Sequence, residues 1–207
     1  HVLGWWNLPG KRTVRPYGNC LQTAERKKNK VKRMEEGNKE ENFYPQFYKK
    51  LYQWYEKHLW AVRTVNVLYH LLPALAVLCY VDLLGLVYIN GGRIMLLKVI
   101  LVPFITFAGV SVFRKCVNAK RPYTIYGTTP IVAKDKTGES MPSRHTASFT
   151  VIAMTWLYVN PAAGVIMLVL AFLMGVVSVL GGVHFVKDVL AGYSAGVLMG
   201  IIGLFLI

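Results

Sequence analysis

From about residue 64 to residue 207 the chain is a succession of apolar stretches long enough to cross a bilayer. That feature limits the possible folds. A backbone in hydrocarbon has to satisfy its own polar groups, so only helices and closed barrels span a membrane. A spanning helix needs about 20 predominantly apolar residues. Five spans are read, over about 64–89, 94–112, 145–159, 162–180 and 185–207. The third is short. Hydrophobic residues are 54% of the 207, and their clustering marks spans rather than a soluble core. Asn90-Gly91-Gly92 and Asn160-Pro161 read as turns between spans. Pro103 is expected to bend the second span. Asp82, inside the first span, is expected either near an interface or paired within the bundle.

The segments ahead of the spans differ in character. Residues 1–40 hold ten Lys or Arg against four acids and read as a disordered basic segment. A run of this kind is ordinarily a solvated tail, and attraction to anionic headgroups is its functional alternative. No basic module accompanies it, so nucleic acid is not an expected partner. The first Met is Met34, preceded by E-R-K-K-N-K-V-K-R. Residues 1–33 are read as upstream sequence translated in frame, because purine-rich codons for such residues resemble a bacterial ribosome-binding site. Residues 41–63 alternate aromatics with Lys and Glu and read as an amphipathic helix lying at the membrane interface. Residues 64–207 form the transmembrane domain. The expected class is therefore all-α, a polytopic membrane bundle of about five spans with an N-terminal interfacial helix. Cys20, Cys79 and Cys116 are scattered and give neither a metal spacing nor a disulfide framework.

Three polar signatures sit at the mouths of the spans: Arg114 to Pro122 (R-K-C-V-N-A-K-R-P), Met141 to His145 (M-P-S-R-H) and Gly181 to Asp188 (G-G-V-H-F-V-K-D). Successive spans alternate direction. The end of the second, the start of the third, the end of the fourth and the start of the fifth therefore fall on one membrane side. That topology brings two histidines, a carboxylate and several guanidinium groups together. His184 and Asp188, four apart, share a helix face, and a carboxylate behind an imidazole can fix its tautomer. His145 opens the third span, and helix N-termini attract anions. Arg121 and Arg144 offer planar forks for phosphate oxygens. Ser143 is expected either to cap the helix or to add a hydroxyl donor. Cations beside a histidine pair suit a phosphate ester.

These residues resemble the type 2 phosphatidic acid phosphatases, a family that shares its helical core with vanadium haloperoxidases. The family pattern is K-x6-R-P, P-S-G-H and S-R-x5-H-x3-D. Arg114 stands six residues before Arg121-Pro122, in the Lys position. Pro142-Ser143-Arg144-His145 matches the second motif with Arg for Gly. Ser178 stands where Arg is expected, followed at the correct spacing by His184 and Asp188. The resemblance implies a two-step phosphoryl transfer without metal or other cofactor. His184 is then the nucleophile, Asp188 its orienting group, and His145 the acid and then the base. Arg114, Arg121, Ser143 and the backbone at Arg144 then hold the phosphate oxygens. Arg144 is outside the family pattern, and its side chain is expected to supply a guanidinium in place of the arginine missing at 178.

The implied protein is a multi-pass enzyme of a bacterial cell membrane acting on a lipid phosphomonoester such as phosphatidic acid or phosphatidylglycerol phosphate. Undecaprenyl diphosphate is the rival substrate. A non-catalytic lipid-phosphate-binding relative, motivated by Ser178, and a haloperoxidase using vanadate are the other readings. The bilayer and the lipid phosphate are the expected partners, and the oligomeric state is left open. From residue 41 onward nearly all Lys and Arg fall on the motif side, which by the positive-inside rule faces the cytoplasm. The resemblance implies an outward-facing site.

Overall fold

The computed structural model describes residues 46–127, 129–134 and 136–206. The expected disordered segment 1–40 and the start of the interfacial segment lie outside these residues. The chain divides into two compact units after Lys50; of the first, the helical residues 46–50 are described. The second unit, Leu51–Ile207, holds the membrane spans.

Every described element is helical. Residues 46–57 form α1. The helix stops at His58, whose backbone is non-helical (φ −132°, ψ 70°) and whose Nδ1 lies 2.9 Å from the Trp54 carbonyl. The chain redirects there, so the first span begins at Leu59 rather than near residue 64. Trp54, His58 and Trp60 pack ring to ring at this corner, Trp54 stacked on His58 at 4.5 Å. Both tryptophans are exposed, which suits side chains held at headgroup depth.

Beyond the corner run α2 (Leu59–Asn90), α3 (Arg93–Val117), the short α4 (Pro122–Tyr126), α5 (Arg144–Val159), α6 (Pro161–Leu180) and α7 (Val186–Gly200). A π-helical turn, Ile201–Leu206, extends α7. The turn after α2 closes through the Gly91 N–H to the Val87 carbonyl. At the α5–α6 turn, Asn160 Oδ1 accepts from the N–H groups of Ala162 and Ala163, with Pro161 at the first helical position. That is the N-cap chemistry this dipeptide favours. α3 remains helical through Pro103. Asp82 is exposed on α2, about two turns before Asn90, which fits the interface alternative rather than a buried pair.

Among the described residues, four helical stretches are long and apolar enough to cross a membrane: Leu59–Asn90, Arg93–Tyr126, Pro161–Leu180 and Val186–Leu206. The fifth expected span is α5, with 16 residues. At 1.5 Å per residue it rises about 24 Å, less than the roughly 30 Å hydrocarbon core. Its position explains its length and polarity. α5 packs against α2, α3, α6 and α7, and Thr146, Thr150 and Thr155 on it are buried. A helix enclosed by other helices need not match the lipid. The enclosing helices instead present apolar faces outward, including Val67, Leu71 and Leu78 on α2 and Ile166, Val169 and Phe172 on α6.

Close approach of α5 and α7 rests on a row of glycines. A Cβ at Gly192 would lie 2.6 Å from the Ser143 carbonyl oxygen. One at Gly196 would lie 2.7 Å from Thr150 Cβ, and one at Gly200 would lie 2.6 Å from Met154 Cβ. Small residues four apart let membrane helices pack backbone to backbone, where dispersion and polar contacts drive association. Polar links tie α2 to its neighbours: Trp156 Nε1 of α5 donates to the Cys79 carbonyl (3.1 Å) and the Tyr80 hydroxyl to the Val99 carbonyl of α3 (2.9 Å).

Gly196→Leu is expected to force α5 and α7 apart and to destabilise the bundle by about 1–3 kcal/mol, the usual cost of overpacking. Gly85→Leu, at a glycine with nothing within 4 Å of its would-be Cβ, should change little. Unfolding midpoints of the two variants in detergent, compared with the parent chain, check this.

Candidate active site

Where α3 ends, α5 begins and α6 turns into α7, the described residues enclose a polar cavity of about 150 Å³. α2 supplies Tyr69, α3 supplies Arg114, and the loop between α3 and α5 supplies Arg121, Lys134, Lys136 and Glu139. Arg144 and His145 come from the first turn of α5, and His184 from the turn before α7. The convergence expected from alternating spans is thus present in the geometry.

The α3–α5 loop is strapped down by the first signature. Arg114 donates through one terminal nitrogen to the Pro142 carbonyl at 2.7 Å and through the other to the Glu139 carbonyl. Arg121 Nε donates to the Gly138 carbonyl at 3.0 Å. Both arginines are buried, yet a guanidinium carries five donors, so each can hold the loop and still present N–H groups to the cavity.

His184 is fixed from behind. Gly182, at φ +73°, supplies the left-handed step that turns the chain out of α6. The His184 and Val183 N–H groups both reach back to the Ser178 carbonyl. Asp188 lies in the first turn of α7, where its Oδ2 accepts from the Phe185 N–H at 3.1 Å. The direct separation of His184 Nδ1 and Asp188 Oδ2 is 3.7 Å, beyond ordinary hydrogen-bond length. Ser140 fills the gap: its hydroxyl donates to Asp188 Oδ2 and lies 3.4 Å from His184 Nδ1. With the Ser140 hydroxyl proton directed at Asp188, a neutral His184 can donate its Nδ1–H to Ser140 Oγ, which leaves the lone pair on Nε2. Burial pushes the His184 pKa below its ordinary value, and Arg121 adds to this against the opposing pull of Asp188. Burial likewise lowers the Lys134 pKa, and Arg121, Arg144 and Lys136 lower it further.

His145 stands across the cavity, edge-on to the Tyr69 ring at 5.5 Å. Lys134 Nζ lies over the same ring at 5.2 Å, within cation–π range. Arg144 is exposed on its outer side, with its guanidinium over Phe107 at 5.5 Å. Lys136 pairs with Glu139 at 3.5 Å.

Arg114, Arg121, Arg144, His145 and His184 therefore line one space, with Asp188 directly behind. Ser143 does not line it. Its Oγ accepts from Thr146 Oγ1 at 3.0 Å, its N–H donates to the Asp188 carbonyl at 2.8 Å, and it is fully buried. It makes no side-chain capping bond. Ser178 is also buried away from the cavity, its hydroxyl donating back to the Met174 carbonyl. Sequence reasoning did not assign a site role to Ser140, Tyr69, Lys134, Lys136 or Glu139. The lysines carried a signal in the cation-rich loop. A single serine three residues before Ser143, and one tyrosine among the aromatics of a span, carried none.

The PAP2 superfamily pattern matches residues 92–206 of the chain. No curated protein matches it in sequence. Among solved structures, the crystal structure of Aquifex aeolicus LpxE is similar, with a TM-score of 0.57 and 24% identity over 70% of this chain and 93% of that one. The first transmembrane PAP2-type phosphatidylglycerolphosphate phosphatase from Bacillus subtilis is similar at a TM-score of 0.52 and 24% identity, covering 69% and 74%. At this identity the likeness concerns the fold.

The purified protein is expected to bind inorganic phosphate or vanadate in this cavity. Arg121→Ala should weaken binding about tenfold or more, since hydrogen bonds to charged groups are worth about 1.5–3 kcal/mol. Lys187→Ala, whose ammonium lies over the Phe185 ring and does not line the cavity, should bind as the parent does. Calorimetric titration of the three proteins checks this.

Proposed function

The chain belongs to the PAP2 superfamily, and from that premise we propose that it is a multi-pass membrane phosphatase that hydrolyses a lipid phosphomonoester through a phosphohistidine. The observation that carries the reading is the opposition of His184 and His145 across one cation-lined cavity, with Ser140 and Asp188 holding the far nitrogen of His184.

In the first step Nε2 of neutral His184 attacks phosphorus, forming a P–N bond as the P–O bond to the lipid alcohol breaks. His145, as imidazolium, gives its proton to the departing oxygen. A bound phosphate supplies the negative charge that favours that protonated form. In the second step His145, now neutral, takes a proton from water as the water oxygen attacks phosphorus. The P–N bond breaks, inorganic phosphate leaves, and His184 recovers its lone pair. Asp188, through Ser140, stabilises the charge that develops on His184 during attack. Arg114, Arg121 and Arg144 face the phosphoryl oxygens, where fixed positive charge is worth most to the transition state. Ser143 acts by pinning the start of α5 to α7 rather than by touching phosphate. Substrates held in the bilayer, such as phosphatidic acid or phosphatidylglycerol phosphate, fit a cavity at the mouth of membrane spans.

Rapid quenching with a ³²P-labelled substrate should trap acid-labile, base-stable label on the parent chain and none on His184→Ala, which should also lose more than nine-tenths of its activity. With an aryl phosphate, whose leaving group needs no acid, His145→Ala should accumulate the label because hydrolysis of the intermediate loses its base. Since the nucleophile must be neutral and burial holds its pKa below the ordinary 6.5, the acid limb of kcat/KM should lie below pH 6.5, while the need for a protonated His145 sets a separate fall on the alkaline side. An acid limb above 6.5 contradicts the assignment.

Arg144 is proposed to replace the guanidinium absent at position 178. In a cycle of Arg144→Gly, Ser178→Arg and the double variant, Arg144→Gly should be severe alone, about 10²-fold or more, and mild when Ser178→Arg is present. Additive effects on the logarithm of kcat/KM contradict the replacement.

A further inference from the structure

His184 is presented by the turn between α6 and α7, and that turn also meets α1. The family pattern matches residues 92–206, so α1, at residues 46–57, lies outside it. No step of the proposed reaction uses this helix.

A helix ends with four carbonyls that have no partner within it. At the end of α6 the turn itself serves three of them. The Val177 carbonyl accepts from the Gly181 N–H at 2.8 Å, and the Val179 carbonyl from the Gly182 N–H at 3.0 Å. The Ser178 carbonyl accepts from the N–H groups of Val183 at 3.1 Å and His184 at 3.3 Å. The fourth carbonyl, of Leu180, is met from α1. The Tyr55 hydroxyl donates to it at 3.5 Å, a long bond of its kind. Tyr55 is buried and belongs to the same apolar cluster as Val65, Val132, Val177 and Val183. Packing therefore holds its hydroxyl against the helix end.

Tyr52 lies one turn earlier, on the same face of α1. Gly182 has φ +73°, a conformation that suits glycine, and the space a side chain would need there is taken. A Cβ at Gly182 would lie 3.0 Å from the Tyr52 hydroxyl oxygen, and 3.8 Å from the next nearest atom, Pro130 Cα. Gln53, Glu56 and Lys57, on the rest of this stretch, are exposed. Both contacts of α1 with the turn are made through a hydroxyl oxygen. Burial alone would be served by Phe at either position.

His184 follows Gly182 by two residues, with its N–H on the Ser178 carbonyl. A displaced turn therefore displaces the imidazole, and a misplacement of about 1 Å can cost about 10²-fold in rate. Resting on the phosphatase reading above, we infer that Tyr52 and Tyr55 are positioning residues for His184: their hydroxyls brace residues 180–182 from α1 and so aim the imidazole at the cavity. Neither tyrosine lines that cavity, so the brace acts on the rate of attack and leaves phosphate binding alone.

The test uses the full chain in detergent micelles with a water-soluble aryl phosphate. Tyr55→Phe should lower kcat about fivefold, the worth of one hydrogen bond, with KM and vanadate affinity at the parent values. Gln53→Ala, exposed on the same helix, should match the parent throughout. Gly182→Ala should lower kcat about 10²-fold, and clearly less when Tyr52→Phe removes the oxygen its Cβ would meet. The strain of a positive φ is common to both arms of that cycle and cancels. Unchanged kcat in Tyr55→Phe overturns the assignment of Tyr55, as does a matching loss of vanadate affinity, which marks general disruption. Additive effects of Gly182→Ala and Tyr52→Phe on the logarithm of kcat overturn the assignment of Tyr52. A parent chain that hydrolyses no phosphate ester counts against the phosphatase reading instead. The brace is then read from spectra of ¹⁵N-histidine-labelled protein, with the His184 resonances identified by their loss in His184→Ala. They should move in Tyr55→Phe and Gly182→Ala and hold in Gln53→Ala; resonances that hold in all three overturn the inference.

Discussion

The contact on which the site depends is backbone to backbone. The Ser143 N–H donates to the Asp188 carbonyl, joining the first turn of α5 to the first turn of α7. His145 is two residues from one partner, and His184 is four from the other. Their separation across the cavity is therefore set by a main-chain bond rather than by side-chain rotamers. The bond needs the helices unusually close, and Gly192 permits this, since any Cβ there meets the Ser143 carbonyl. Gly196 and Gly200 continue the approach along the membrane depth. Rigid elements hold reacting groups more closely than loops can. Here His145 sits in the first turn of α5 and His184 in the turn just before α7, and one bond and one seam lock those two helix starts together.

Charge is arranged with comparable economy. Arg114 and Arg121 are buried, and the partners that hold them are the carbonyls of Gly138, Glu139 and Pro142. Carbonyl dipoles satisfy the N–H groups without cancelling the positive charge. Carboxylates in their place would neutralise the site and remove its attraction for an anion. Among the described cavity-lining residues, Glu139 is the carboxylate, and it is engaged with Lys136. Several cations in a small, poorly solvated space repel one another, which raises the free energy of the empty site. An anion entering the cavity would relieve that repulsion, so part of its binding would come from the mutual repulsion of groups already fixed in place.

Much of this was legible in the sequence for a simple reason. Spans are read from composition, alternation of direction follows from spans, and motif ends then converge. Lipid-facing helices obey that logic, and α5 stretches it, being short and polar because other helices surround it. Side-chain direction was less accessible. Ser143 and Ser178 both sit in motif positions, yet Ser143 bonds Thr146, Ser178 bonds Met174, and neither lines the cavity. Ser140 has no motif of its own and nevertheless bridges His184 and Asp188. Such a role depends on the path of a loop in space, which spacing along a chain does not encode. The glycine seam was visible as letters four apart, but its meaning required knowing that α5 lies opposite.

The serine at position 178 illustrates how a motif can change at one residue and keep its frame. Two functions meet at that position. The backbone carbonyl receives the N–H groups of Val183 and His184 and so fixes the turn that presents His184. Any residue can supply this carbonyl. The side chain is the separable part, and a small one bonding back into its own helix leaves room in a buried place. The cation it lacks can come from elsewhere only if another element reaches the same cavity. Arg144 does so from the first turn of α5, with its guanidinium resting on Phe107. Its neighbour His145 belongs to the same turn, so the guanidinium and the imidazole move together. Both are thereby carried by one helix start, while the end of α6 holds His184 in place through the Ser178 carbonyl.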